Sequence, residues 1–373
     1  MNNLGINIRN KILRFGYKYL LKPIFFLSDP EKVHDHMVLF GETLGKSVVT
    51  QRLTSLLFNY SNKKLEQKIL GIKFINPIGL GAGFDKNAQL IDILPGVGFG
   101  FMEVGSITGE PCKGNPKPRL WRLKKSKSLV VNYGLKNDGC LEIAKRLKRK
   151  KFQIPVGTSI AKTNDRKTVT VEAGINDYVK ACKQFTDIGT YFTINISCPN
   201  AYGGQPFTES KRLDKLLAKI DKIATKKPLF LKLSPDLSNN EIDDIIKVGQ
   251  KHKVDGFICC NLSKMRKNEK IKEKNIPKDG GISGKAIEDL TNDLIAYVYK
   301  KTKGKFIIIG LGGVFSCEDA YKKIRLGASL VQLITGMIYE GPQVIGEINR
   351  GLVKLLEKDG YSNISEAIGV DNK

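Results

Sequence analysis

Eight short apolar runs, each followed by a stretch long enough for a helix, constrain this chain more than any single motif. They are Pro77–Leu80, Phe101–Gly105, Pro155–Ile160, Tyr191–Ile196, Leu229–Leu233, Gly256–Asn261, Phe306–Gly310 and Leu330–Thr335. Short apolar runs bounded by turn residues predict buried strands. Strands that alternate with helices predict a parallel sheet, because a parallel connection needs a crossover of about a dozen residues. Eight such units predict an α/β chain closed into a (β/α)8 TIM barrel. A length of 373 residues suits one barrel plus an extension. The expected division is a helical N-terminal cap over residues 1–60 and the barrel over 61–373.

Within the cap, Lys11, Arg14, Lys18 and Lys22 recur at helical spacing, and Leu13, Tyr17, Leu20 and Ile24 do so on another side. This predicts an amphipathic helix with a basic face, ended or kinked by Pro23. Asp29-Pro30-Glu31 predicts a second helix start: Asp as N-cap, Pro at the first position, Glu in the first turn. Val33, Met37, Phe40 and Leu44 form its expected apolar stripe. Such helices can lie on a bilayer or cover a barrel, and composition does not separate the two.

The net charge is +25. Its lysines are spread along the chain, which favours solvated helix faces over a nucleic-acid site. No apolar run approaches the roughly 18 residues of a membrane span. Seven cysteines without a CxxC pair, and three histidines, argue against a disulfide framework and against a metal site. A reducing, cytoplasmic setting is expected.

Chemistry in such barrels sits where strands end at their C-termini. The first run leads into Gly81-Ala82-Gly83-Phe84-Asp85-Lys86, the second into Gly105-Ser106 and the fourth into Asn195-Ile196-Ser197-Cys198-Pro199-Asn200. The fifth carries Lys232, the sixth ends at Asn261, the seventh leads into Gly310-Leu311-Gly312-Gly313 and the eighth into Ile334-Thr335-Gly336. Glycines after the seventh strand and Thr-Gly after the eighth suit a phosphorylated cofactor held by backbone N–H groups. If that cofactor is FMN, Lys232 is the cation that stabilises charge on the reduced ring, with Lys86 a second. A lone lysine in an apolar strand is costly without a partner, so Lys232 is read as functional. Cys198 is the candidate base for proton removal, helped by basic surroundings. Asn195, Asn200 and Asn261 suit a ring with amide and carbonyl edges.

At these residues the chain resembles the dihydroorotate dehydrogenase family, and most closely its class 2, membrane-associated, quinone-reducing branch. The resemblance is carried by Leu27–His34, Asn76–Lys86, Gly98–Ser106, Gly114–Arg122, Gly280–Gly284 and Ile309–Val314. It implies FMN held by Ala82, Gly83, Lys86, Ser106, Ser159, Asn195, Lys232, Cys260, Ser283, Gly284, Gly312, Gly313, Ile334 and Thr335. It implies dihydroorotate or orotate at Lys86, Asn132, Asn195, Asn200 and Asn261, and a quinone tunnel past His34 and Arg122. It implies a peripheral protein on the cytoplasmic side of the cell membrane, with no nucleic-acid partner. Three departures stand out. The class 2 base is a serine, and this chain has Cys198, as in class 1. The class 2 segment Asn-Arg-x-Gly-Phe-Asn reads Asn132-Tyr133-Gly134-Leu135-Lys136-Asn137. The Asn after the third strand is Ser159, and the Asn-Thr after the sixth is Asn261-Leu262. Two other readings stay open: the same chemistry with fumarate or another soluble acceptor, and a tRNA dihydrouridine synthase, whose barrel also carries Asn-x-x-Cys-Pro.

Overall fold

A computed structural model describes residues 3–372. Four helices come first: α1 (Asn3–Phe15), α2 (Lys22–Leu27), α3 (Pro30–Gly45) and α4 (Val48–Phe58). Strands follow: β1 (Gln67–Ile69), β2 (Ile72–Phe74), β3 (Ile78–Leu80), β4 (Phe101–Ile107), β5 (Leu120–Leu123), β6 (Ser128–Val131) and β7 (Val156–Ile160). The remainder are β8 (Tyr191–Asn195), β9 (Leu229–Lys232), β10 (Gly256–Cys259), β11 (Gly281–Gly284), β12 (Ile307–Leu311) and β13 (Leu330–Leu333).

All eight predicted runs form barrel strands. They close in the order β3-β4-β7-β8-β9-β10-β12-β13, with β13 paired back onto β3. Every pairing is parallel, as in Gly79↔Phe101, Ser159↔Thr193 and Asn195↔Lys232. The barrel interior fills by setting large rings against missing side chains. A Cβ on Gly79 would lie 2.4 Å from the Phe101 ring, and one on Gly157 2.3 Å from that of Tyr191. Those rings, with Phe74, Phe230, Ile258 and Ile309, make one core, and a larger one lies between strands and outer helices.

Two small sheets went unrecognised in the sequence. The β1–β2 hairpin delivers Phe74 against Phe101 at 5.5 Å, edge to face, and so closes the N-terminal end of the barrel. At the other end β5, β6 and β11 form an antiparallel sheet. Its strands are four residues each and lie inside barrel connections, where the helical alternation masks them.

The cap departs from expectation in three ways. The helical path does not end at Pro23. It runs on to Leu27, because Pro23 lies in the first turn of α2, where a missing N–H is tolerated. Residues Gly16–Leu21 just before it are π-helical. The wider turn shifts the phase by about one residue, roughly 100°, so Leu20 and Ile24 leave the face of Leu13 and Tyr17 and stand exposed. The basic face partly turns inward: Arg14 pairs with Glu347, and Lys18 with Glu340 at 2.9 Å.

Helix α3 starts as predicted, with the Asp29 carboxylate accepting from Lys32 N–H at 2.9 Å. Its buried face is Glu31, Val38 and Gly45, while Met37 and Phe40 face outward. Gly41 explains the reversal: a Cβ there would lie 2.7 Å from Leu90, so the bare face of the helix packs and the bulky one does not. Among the described residues no helix is long and apolar enough to cross a membrane.

Candidate functional site

A cleft of about 1190 Å³, counting the space open to solvent, occupies the C-terminal mouth of the barrel beneath β5, β6 and β11. Its walls bring together Ala82, Gly83 and Lys86 after β3, Ser106 in β4, Asn195, Cys198 and Asn200 from β8, and Lys232 from β9. Cys260 and Asn261 follow β10. Ser283 and Gly284 come from β11, Gly312 and Gly313 from the end of β12, and Ile334 and Thr335 from the end of β13. His34 reaches the same cleft from α3.

The floor is a hydrogen-bonded row. Asn195 Nδ2 donates to Ser106 Oγ at 2.8 Å, and Ser106 Oγ lies 2.8 Å from Ser159 Oγ. Asn261 Nδ2 donates to Asn195 Oδ1 at 3.1 Å and to the Ser197 carbonyl at 2.9 Å. Tyr178 supports the row from behind, donating to the Asn195 carbonyl at 2.8 Å. Such a row holds the amides in one orientation before ligand arrives.

Lys232 is buried in the wall, and among the described residues no hydrogen bond or salt bridge reaches its ammonium. Burial lowers its pKa, and the buried carboxylate of Glu103 opposes that shift. Glu103 is itself pushed upward by burial and accepts from Thr193 Oγ1 at 2.6 Å. A buried cation facing a cleft without an acceptor partner suits an acceptor-rich ligand edge.

At the other end the backbone itself makes the cradle. Gly284, Gly312 and Gly313 have φ of +90°, +133° and +73°. A Cβ on Gly313 would lie 2.5 Å from that of Glu288. Ser283 Oγ and Thr335 Oγ1 stand 2.9 Å apart beside it. Glycine backbone flanked by two hydroxyls fits a phosphate, and Lys232 fits the ring edge of a flavin across the cleft. The residues present therefore fit a flavin mononucleotide.

Cys198 shares the wall with Lys86, Lys232 and the Gly312-Gly313 turn. Its surroundings differ from expectation. Lys232 and Lys162 favour the thiolate, but burial outweighs them and raises the thiol pKa. Desolvation of the half-buried Lys86 disfavours its charge and lowers its pKa to about 7. Its ammonium lies 4.0 Å from the centre of the Tyr133 ring.

Three predicted residues do not line the cleft. Ser159 stands one layer behind Ser106. Asn132 is turned to Asn115, whose Nδ2 donates to its Oδ1 at 2.9 Å. Arg122 lies under α2, donating to the Ser28 carbonyl at 2.8 Å with its guanidinium 4.7 Å from the Phe26 ring centre. Conversely, Tyr133, Asn115, Lys162 and Glu103 were missed. Each acts through a partner distant in sequence, and no local pattern marks them.

Residues 64–356 match the family model described as dihydroorotate dehydrogenase. The chain is 38% identical over 358 residues to the dihydroorotate dehydrogenase (quinone) of Natronomonas pharaonis, covering 95% of this chain and 99% of that one. It is 36% identical over 379 residues to that of Trichodesmium erythraeum, covering 96% and 99%. The crystal structure of DHODH from Eimeria tenella in complex with ferulenol superposes with a TM-score of 0.83 at 29% identity, covering 97% of this chain and 99% of that one. The glycine cradle, buried lysine and polar floor thus sit in a barrel shared along almost the whole length with these proteins, and the chain belongs to the dihydroorotate dehydrogenase family.

Proposed function

We propose that the protein oxidises dihydroorotate to orotate in pyrimidine synthesis, with FMN in the cleft and a quinone as electron acceptor. The observation that carries this reading is the convergence of Lys86, Lys232, Cys198 and the Gly312-Gly313 turn on one cleft. When bound, the flavin supplies hydride acceptance. Gly284, Gly312, Gly313, Ser283, Ile334 and Thr335 would hold its phosphate end, and Ala82, Gly83, Ser106, Asn195 and Cys260 its ring, with Ser159 supporting Ser106 from behind. Lys232 stabilises the negative charge that reduction adds. Asn195, Asn200 and Asn261 orient the substrate amides, with Asn132 acting behind them through Asn115, and Lys86 pairs with the substrate carboxylate. Cys198, as thiolate, takes the proton released from the substrate carbon.

Residues 1–60 act in this reading as the membrane-associating cap and 61–373 as the FMN barrel. The cap is rich in exposed apolar side chains, among them Ile12, Phe15, Leu20, Ile24, Leu27, Phe40, Val49 and Leu56. Exposed apolar side chains in that number support peripheral attachment to the cytoplasmic side of the cell membrane. A quinone would reach the flavin between cap and barrel, past His34 and Arg122.

Cys198 favours a second reading in which a soluble acceptor such as fumarate takes the electrons; the cap favours quinone. The family match removes the tRNA reading. Purified protein should be yellow and bleach on adding dihydroorotate. A membrane-fraction assay should then show faster turnover with a ubiquinone or menaquinone analogue than with fumarate. No quinone reduction above the fumarate rate would reject the quinone assignment.

A further inference from the structure

We propose that Glu31 of the cap is a positioning residue for the substrate site, acting through Arg119 and Asn115. This rests on the function proposed above and goes beyond a role for the cap in membrane attachment.

Glu31 lies in the first turn of α3, where a carboxylate is ordinarily solvated, yet its side chain is only 3% exposed and that of Arg119 only 5%. Arg119 Nε and Nη2 donate to this carboxylate at 3.1 and 2.8 Å. The third guanidinium nitrogen faces the other way. Arg119 Nη1 donates to the carbonyls of Lys113 at 2.9 Å and Asn115 at 2.8 Å, so the loop wraps around the cation. Gly114 permits the wrap: its φ is +78°, and a Cβ there would lie 2.8 Å from Arg119 Nη1.

Asn115, shaped by that wrap, joins three further segments. Its Nδ2 donates to Asn132 Oδ1 at 2.9 Å and to the Asn200 carbonyl at 3.1 Å. Its Oδ1 accepts from Asn164 Nδ2 at 2.9 Å. Asn200 returns the contact, donating to the Val131 carbonyl at 2.7 Å. Asn200 follows Cys198 by two residues. One buried charge on the cap thus holds, through one guanidinium and one amide, the loops that carry Asn132, the cleft-lining Asn200 and the base. A simple docking clasp would need only the ion pair. The onward bonds from Arg119 Nη1 and from both ends of the Asn115 amide point to positioning.

The test uses full-length holoenzyme. Orotate is titrated while the flavin absorbance is followed, in wild type, Glu31→Gln, Asn115→Ala and the double variant. Positioning predicts that each single change weakens orotate binding by about tenfold or more with flavin content retained. It also predicts that the double variant is little worse than either single one, because both cut the same chain. If Glu31→Gln does not accumulate as folded protein, Glu31→Asp, which keeps the charge but withdraws it, enters the same cycle. Orotate affinity within about twofold of wild type in the single variants, whatever happens to thermal stability or vesicle binding, overturns the proposal, as do fully additive losses. A wild-type holoenzyme that ignores orotate removes the proposed function and this inference together; a responsive wild type with unchanged variants removes only the inference.

Discussion

The ammonium of Lys86 stands 3.4 Å from His34 Nε2, joining the loop after β3 to the cap helix α3. That imidazole nitrogen also lies 2.9 Å from the Phe84 carbonyl. A carbonyl only accepts, so Nε2 carries the proton and has no lone pair left for Lys86. The ammonium is left with the Tyr133 face and with charges further off, which is why burial holds its pKa down at about 7.

This sets a pH dependence for substrate binding. Above about pH 7 Lys86 is largely neutral in the ligand-free protein, and binding a carboxylate must recharge it by taking up a proton. Orotate affinity should therefore fall as pH rises through and above that value, by up to about tenfold per unit. Titrations between about pH 6 and pH 9 with the flavin spectrum as readout check this, and calorimetry in two buffers should show the proton uptake. A flat affinity would remove Lys86 as the carboxylate partner.

The chemical step should depend on pH in the opposite sense. Burial raises the Cys198 pKa, and the thiolate is the active form. The rate of flavin bleaching by saturating dihydroorotate should climb through the alkaline range, about tenfold per unit until the thiol titrates. Cys198→Ala should keep its flavin and lose about 10²–10⁴ in this rate. Cys198→Ser should work only at higher pH, since a hydroxyl ionises less readily. Rapid bleaching by the alanine variant in stopped flow would exclude Cys198 as base.

The phosphate cradle is tested at Gly313. An alanine there must adopt φ of +73° and place its Cβ 2.5 Å from that of Glu288. Strain of about 1–3 kcal/mol is expected in the turn. Gly313→Ala should purify with less flavin and a lower Tm in the flavin-bound form. Full flavin occupancy would show that this turn does not cradle the cofactor.

Membrane attachment is tested on the outer face of the cap. Leu27 is 88% exposed and Phe40 55%. Burying such a side chain in lipid is worth about 1.5–3 kcal/mol, so Leu27→Ser with Phe40→Ser should lower vesicle partitioning by at least about tenfold. Bleaching by dihydroorotate should not change. Unaltered flotation with vesicles would place the membrane contact elsewhere.

Much of the site was visible because barrel geometry sends strand ends to one place. Lys232 ends one strand, Cys198 and Gly312-Gly313 follow two others, and once eight parallel strands are recognised they must meet at one mouth. Glu31 was visible only as an acidic residue at a helix start. Its burial depends on Arg119, 88 positions away. Apolar spacing also misread the cap. A helix face is buried only if a partner surface fits it, and at Gly41 and Gly45 the bare backbone fitted better than Met37 and Phe40.

Local order in the chain, a short apolar run and then a helix-length stretch repeated eight times, was enough to dictate the barrel, since that alternation has few other ways to hide its apolar faces. It also dictated which strand ends carry polar groups. Folding in three dimensions alone settled which cap face turns outward, that burial outweighs the nearby lysines at Cys198, and that Glu31 is buried against Arg119. Those outcomes depend on desolvation and on contacts between residues far apart in sequence, quantities that no local spacing encodes.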